Sequence, residues 1–201
     1  SSEKLPIRLC YIENMYRFNQ SGGGKQSEFT QAGVELMGAA GSDSDAEVIA
    51  LAIKTALEAG VEDLQISIGQ VKLYEGIMQQ LSISEENSEI IRNAIEAKDS
   101  VTIERIANEL GLSSKDKETL LMLPESFGTY DIIDAFKERV TNTLALEALN
   151  NLKEILDVID EYGFTRISKN TTFDFCSYFE CESKENSSFN KIIIFNVCML
   201  L

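Results

Sequence analysis

The sequence contains no histidine. That absence removes the commonest general base, the usual nucleophile–base triads and the imidazole ligands of most zinc sites. Cations are scarce as well: 18 Lys and Arg against 33 Asp and Glu leave a net charge of −15. Nucleic-acid affinity comes largely from Lys and Arg displacing counterions, so binding to DNA or RNA is disfavoured. No apolar run approaches the roughly 18 residues that a membrane span needs, and Ser1-Ser2-Glu3-Lys4 lacks the apolar core of a signal peptide. The four cysteines, Cys10, Cys176, Cys181 and Cys198, form no paired disulfide framework. A reducing, cytoplasmic setting is the expectation. Cys176-x4-Cys181 with Cys198 lacks a fourth ligand and the CxxC spacing of zinc sites, so neither a metal nor a cofactor is expected.

What is present is globular in composition: 201 residues, 44% hydrophobic and 25% charged, enough for one or two modest domains. The β-branched and aromatic stretch Ile7 to Phe18 predicts a long strand. Ser21-Gly22-Gly23-Gly24 then gives a turn, and Phe29 to Met37 resumes strand character, so two antiparallel strands joined by a loop are expected. Ser21 to Lys25 lacks the GxxxxGK[ST] pattern and joins strand to strand, which argues against a phosphate loop. Ser44 followed by Glu47 has the form of a capping box, opening a helix with Val48, Leu51, Ala52, Thr55 and Ala56 inward and Gly60 at its end. Leu64, Ile66 and Ile68 alternate with polar residues and predict a strand that rejoins the same sheet and closes at Gly69.

From Val71 to Gly163 the period becomes helical, with apolar sets Ile91/Ala94/Ile95, Ile103/Ile106/Ala107/Leu110 and Leu149/Leu152/Ile155/Leu156/Ile159. Breaks are expected at Ser82 to Glu86, Gly111, Pro124 and Gly128, and the helices do not repeat one another. Acidic groups such as Glu85-Glu86 and Asp157/Asp160/Glu161 read as solvated helix faces and caps. The expected organisation is an α+β core over residues 1–82, a helical module over 83–164 and a tail over 165–201 that shows no clear period before Ile192 to Phe195.

One constellation offers chemistry. In the second strand Gln31, Gly33 and Glu35 share a face, while Thr30, Ala32, Val34 and Leu36 share the other, which is expected to be buried. Gly33 between an amide and a carboxylate would leave room for a small ligand close to the backbone. In the first strand Arg17 shares a face with Leu9, Tyr11 and Glu13. Should the hairpin bring that face to Glu35, a guanidinium and a carboxylate converge, the complement of an α-amino acid's carboxylate and ammonium. A solvated sheet face carrying ordinary cross-strand Arg/Glu pairs accounts for the same pattern.

Met15 to Gly38, MYRFNQSGGGKQSEFTQAGVELMG, resembles motif 2 of the histidyl-tRNA synthetase family and its regulatory paralogues. Glu28 to Gly38, Asp45 to Ala52, Ile66 to Val71, Leu123-Pro124-Glu125 and Ala148 to Leu152 are similar to the regulatory subunit of ATP phosphoribosyltransferase, and the resemblance covers residues 5 to 164. It implies a partial class II synthetase-like antiparallel sheet with flanking helices and an inserted helical module. It further implies a non-catalytic subunit that pairs with the short-form catalytic subunit in a hetero-oligomer at the first step of histidine biosynthesis, with L-histidine as feedback effector. The family's histidine-binding roles would fall on Arg17, Gln31 and Glu35.

Departures from the synthetase pattern bear on catalysis. Asn19 stands where motif 2 has an acid, and Lys25 and Ser27 replace two loop arginines, weakening the cationic stabilisation that adenylation needs. No segment resembles motif 1, the Gly-rich motif 3 or the Tyr-Tyr-Thr-Gly segment expected after Gly163. Truncation or a reading-frame change would account for the tail's Asn/Lys/Ile/Phe bias. The competing expectations are a true histidyl-tRNA synthetase and an inactive fragment.

Overall fold

The computed structural model describes residues 4–16, 28–61, 64–125, 130–168, 171–174 and 180–183. Arg17, the Ser21 to Lys25 loop, Gly128, Cys176, Cys198 and Ile192 to Phe195 lie outside the described residues.

Strands β1 (Ile7–Tyr16) and β2 (Glu28–Met37) form the expected antiparallel hairpin. Helix α1 (Ser42–Glu58) follows, then β3 (Leu64–Gly69). Contrary to the sequence expectation, β3 does not rejoin the hairpin. It is the centre of a separate three-stranded sheet, parallel to β4 (Thr172–Asp174) and antiparallel to β5 (Glu180–Ser183). Alternation in β3 announces a half-buried strand but carries no information about its partners, which come from a tail without a readable period.

Helix α1 also begins differently from expectation. Its N-cap is Gly41, whose carbonyl accepts from the amides of Ser44 and Asp45 at 3.0 and 3.2 Å, so Ser44 lies inside the helix. Glu47 is unavailable for a capping box because Arg8 holds its carboxylate. The buried stripe is Ala46, Val48, Ile49, Ala52, Ile53 and Ala56; Leu51 is exposed, and Thr55 is exposed with its hydroxyl bonded to the Leu51 carbonyl at 2.8 Å.

The helices α2 (Val71–Gln80), α3 (Glu85–Glu96), α4 (Ser100–Glu109) and α5 (Ser114–Met122) come next. A 3-10 turn at Leu123–Glu125 precedes α6 (Tyr130–Lys137), α7 (Thr143–Glu161) and α8 (Thr165–Ser168). Side-chain caps by Ser84, Asp99, Ser113 and Asn142 satisfy first-turn amides of α3, α4, α5 and α7. The expected inward sets are buried, apart from Leu110, which caps α4 and stays exposed.

Helix α7 organises the core. Ala145, Ala148, Leu149, Leu152, Ile155, Leu156 and Ile159 are buried along it, and it packs against α1 and α2 on one side and α6 and α8 elsewhere. Large aliphatics buried this way contribute about 1.5–3 kcal/mol each. The α2 crossing is close because position 76 is glycine: a Cβ there would lie 2.6 Å from the backbone nitrogen of Ala145. Gln80 secures the same junction, its Oε1 accepting from the amides of Thr141 and Asn142 at 2.6 and 3.1 Å and its Nε2 donating to the Arg139 carbonyl at 3.3 Å. A polar junction also joins α1, α2 and α7. Gln70 donates to Asn151 Oδ1 at 3.0 Å, and Asn151 lies beside Asp45, whose buried Oδ1 has no partner among the described residues. Burial raises the Asp45 pKa against the opposing effects of Asn151 and Lys72.

Gly76→Ala is therefore expected to force α2 and α7 apart, with an overpacking cost of about 1–3 kcal/mol. Urea unfolding monitored by far-UV circular dichroism measures it, and an unchanged midpoint would show that the helices can separate without loss.

Candidate functional site

The hairpin pairs Leu9 with Glu35, Tyr11 with Gly33 and Glu13 with Gln31. Because side chains alternate, these six residues share one face. The register thus places Leu9, Tyr11 and Glu13 beside Gln31 and Glu35; Arg17 itself falls outside the described residues. Gln31 is 5% exposed and Glu35 half-buried.

The space above Gly33 is filled, not open as the sequence suggested. A Cβ at position 33 would sit 2.2 Å from Tyr11 Cζ and 2.3 Å from its hydroxyl oxygen. An aromatic ring lying across a strand glycine covers backbone that has no side chain of its own. The Tyr11 hydroxyl reaches along β2 and accepts from Gln31 Nε2 at 2.7 Å. Tyr11 is thus a member of this face that residue spacing did not single out. Its signal in the sequence was its position among Leu9, Glu13 and Arg17, but register was needed to set it over the glycine.

The opposite face is less buried than expected. Leu36 is buried and Val34 partly so, whereas Ala32 and Thr30 are exposed. Helix α1 covers only the end of β2 nearest Leu36, and the strands run on beyond it. There the exposed face is apolar at Ile12 and Ala32 and polar at its far end, where Thr30 donates to Asn14 at 3.1 Å, and Asn14 and Tyr16 both donate to Glu28 Oε1, at 3.2 and 2.9 Å. Nearer α1, Arg8 grips Glu47 through two bonds of 2.5 and 2.7 Å, tying the edge of the hairpin to the helix. The Arg8 hydrogen bond holds the Glu47 carboxyl below its ordinary range, with the Coulombic attraction adding to it and desolvation opposing it.

On the Gln31 face the Glu35 and Glu13 carboxylates and Gln31 Oε1 are acceptors with no hydrogen-bond partner among the described residues, while one Gln31 amide hydrogen is engaged by Tyr11. Such a surface suits a donor-rich group such as an ammonium.

A hairpin of this kind beside a helix-flanked sheet is the fold of the class II synthetases. A histidyl-tRNA synthetase from Nostoc superposes on 90% of this chain and 45% of its own with a TM-score of 0.69 at 15% identity. The chain belongs to the histidyl-tRNA synthetase family, whose family model matches residues 1–182. That match continues past residue 164, where the sequence resemblance ended. A structure titled as an ATP phosphoribosyltransferase regulatory subunit/histidyl-tRNA synthetase from Bacillus halodurans aligns over 92% of this chain and 50% of its own, with a TM-score of 0.80 and 27% identity. Among curated relatives, an ATP phosphoribosyltransferase regulatory subunit from Acetivibrio thermocellus is 42% identical over 161 residues, 80% of this chain and 38% of the relative. The chain spans about two-fifths of the length of such relatives.

Glu47→Gln is expected to lower the melting temperature slightly at neutral pH, because the pair is solvent-exposed. A depressed carboxylate stabilises the fold above its unfolded pKa and loses that contribution as pH falls through its folded pKa. The gap between the proteins should therefore close in acid. Identical melting curves at neutral pH would assign attachment of the hairpin to Val34 and Leu36 alone.

Proposed function

We propose that this chain is part of a regulatory subunit of ATP phosphoribosyltransferase, which activates a short-form catalytic subunit in the first step of histidine biosynthesis and carries histidine feedback. The observation that carries the reading is the 42% identity to a regulatory subunit over four-fifths of the chain. In this reading the chain performs no catalysis of its own, works in the cytoplasm and assembles with the catalytic subunit into a hetero-oligomer. Nucleic acid is no partner, in keeping with the net charge of −15.

Arg17, Gln31 and Glu35 are the proposed histidine-binding residues. The Arg17 fork suits the α-carboxylate, and the Glu35 carboxylate the ammonium. The shared face of Gln31 and Glu35 and the pairing of Glu13 with Gln31 support this placement. Feedback then requires that histidine bind one state of the complex more tightly than the other.

The family model's own description favours one second reading, a histidyl-tRNA synthetase. Asn19, Lys25 and Ser27 weigh against it, because the cations that would stabilise a pentacovalent phosphate are depleted.

The test is turnover by the short-form catalytic subunit with and without this protein while histidine is titrated. Activation on mixing, then inhibition by histidine, is expected, with Glu35→Gln remaining activating but needing roughly tenfold or more histidine, as for loss of a charge-assisted hydrogen bond. No activation, together with ATP–pyrophosphate exchange that depends on histidine, would replace this reading with the synthetase.

A further inference from the structure

Between α5 and α6 lies an open cavity that the hairpin reading leaves unused. It measures about 360 Å³ and is lined by Glu118, Leu121 and Met122 of α5, Ile132 of α6 and Arg139 just past the end of α6. Three of these five side chains are apolar and partly buried against the core, while the two charged ones meet, Arg139 Nη1 donating to Glu118 Oε2 at 3.1 Å. A concave site of this size, mostly apolar with a few fixed polar groups, is the form that small-molecule sites take.

The two charged residues are not equivalent. The Glu118 side chain is 64% exposed and that of Arg139 29%, so the guanidinium belongs to the cavity wall and the carboxylate to its solvent side. Arg139 is also held from behind: its amide donates to the Phe136 carbonyl at 2.9 Å, and its carbonyl accepts from Gln80 Nε2 at 3.3 Å. A guanidinium carries five N–H donors in a rigid fork. The single bond to Glu118 is the one that this side chain makes among the described residues, so most of the fork is unspent. Lys115 brings a second cation, its Nζ bonded at 3.1 Å to the carbonyl of Glu138, the residue before Arg139. An ammonium ligand would meet both cations, whereas a carboxylate fits them.

Residue order sets the shape of the occupant. Arg139 stands at the Glu118 end of the cavity, and Leu121 and Met122 follow three and four residues along α5. We propose that this cavity binds a small amphiphilic carboxylate, its anion on the Arg139 fork and its ring or branched chain, about 5–6 Å along α5 at 1.5 Å per residue, over Leu121, Met122 and Ile132. Glu118 competes for the same fork, and because that pair is largely exposed its bond is weak enough for a ligand to replace. The site shares no residue with the hairpin face, so it adds a second ligand to the effector proposed there and stands or falls separately from it.

The experiment titrates 4-phenylbutyrate, its neutral amide and 4-phenylbutylamine into the chain labelled with 13C-methyl methionine. Met122 is one of five methionines, and its resonance is assigned by its loss in Met122→Leu. A saturable shift of that resonance with 4-phenylbutyrate is expected, and the amide and the amine should bind roughly tenfold or more weakly, as for loss of a charge-assisted hydrogen bond. Arg139→Gln should erase the preference for the carboxylate. Glu118→Gln should bind the carboxylate about two- to fivefold tighter, the worth of an exposed ion pair that no longer competes. A stationary Met122 resonance overturns the proposal, and so does a shift that all three probes produce with equal affinity, which would be plain apolar adhesion. Weaker carboxylate binding by Glu118→Gln has the same meaning. Should Arg139→Gln fail to fold, the three probes on the unmodified chain together with Glu118→Gln still decide.

Discussion

The apolar face of α7 is the constraint on which the rest of the fold depends. Seven buried side chains along one helix serve α1 and α2 at once, and the close crossing with α2 is possible only because residue 76 has no side chain. The junction is apolar along most of its length but polar at two places. Gln80 holds the segment before α7, and Gln70 bonds Asn151 on the helix, next to Asp45 of α1. Partly buried polar groups cost free energy unless paired, so these contacts favour one register along α7.

From that scaffold the hairpin projects by a narrow attachment. Val34 and Leu36 meet the core, and Arg8 reaches Glu47 on α1; the remainder of β1 carries exposed Leu9, Ile12 and Tyr16. The Gln31 face therefore gets its order mainly from within the hairpin. Tyr11 and Gln31 bond one another across the strand pair.

Much of this was legible in the sequence, and the reasons differ by element. The hairpin, α1, β3 and the run of helices followed from period and punctuation, since strand alternation and helical stripes are local properties. The α1 start was misread because Ser44 and Glu47 have capping-box spacing, while the choice of Glu47's partner belonged to Arg8, 39 residues earlier. Leu51 was placed inward although Ile49 and Ile53 define the true stripe; a rotation of one residue separates the two readings. Partners of β3 were beyond reach because pairing is a tertiary choice. The face shared by Gln31 and Glu35 was read from alternation alone, but not the ring above Gly33, which required the exact register of the opposing strand.

Two of the close-packed glycines, Gly76 and Gly33, define different kinds of evolutionary freedom. At Gly76 the obstacle is the main chain of Ala145, which no substitution at 145 can remove, so position 76 has no compensating partner and is closed to sequence drift. At Gly33 the obstacle is a side chain. Shortening Tyr11 opens the position to larger residues, so 11 and 33 can change together along a lineage, exchanging a ring on one strand for bulk on the other. This pair can thus be rewritten as a unit, while the helix crossing at Gly76 stays as it is.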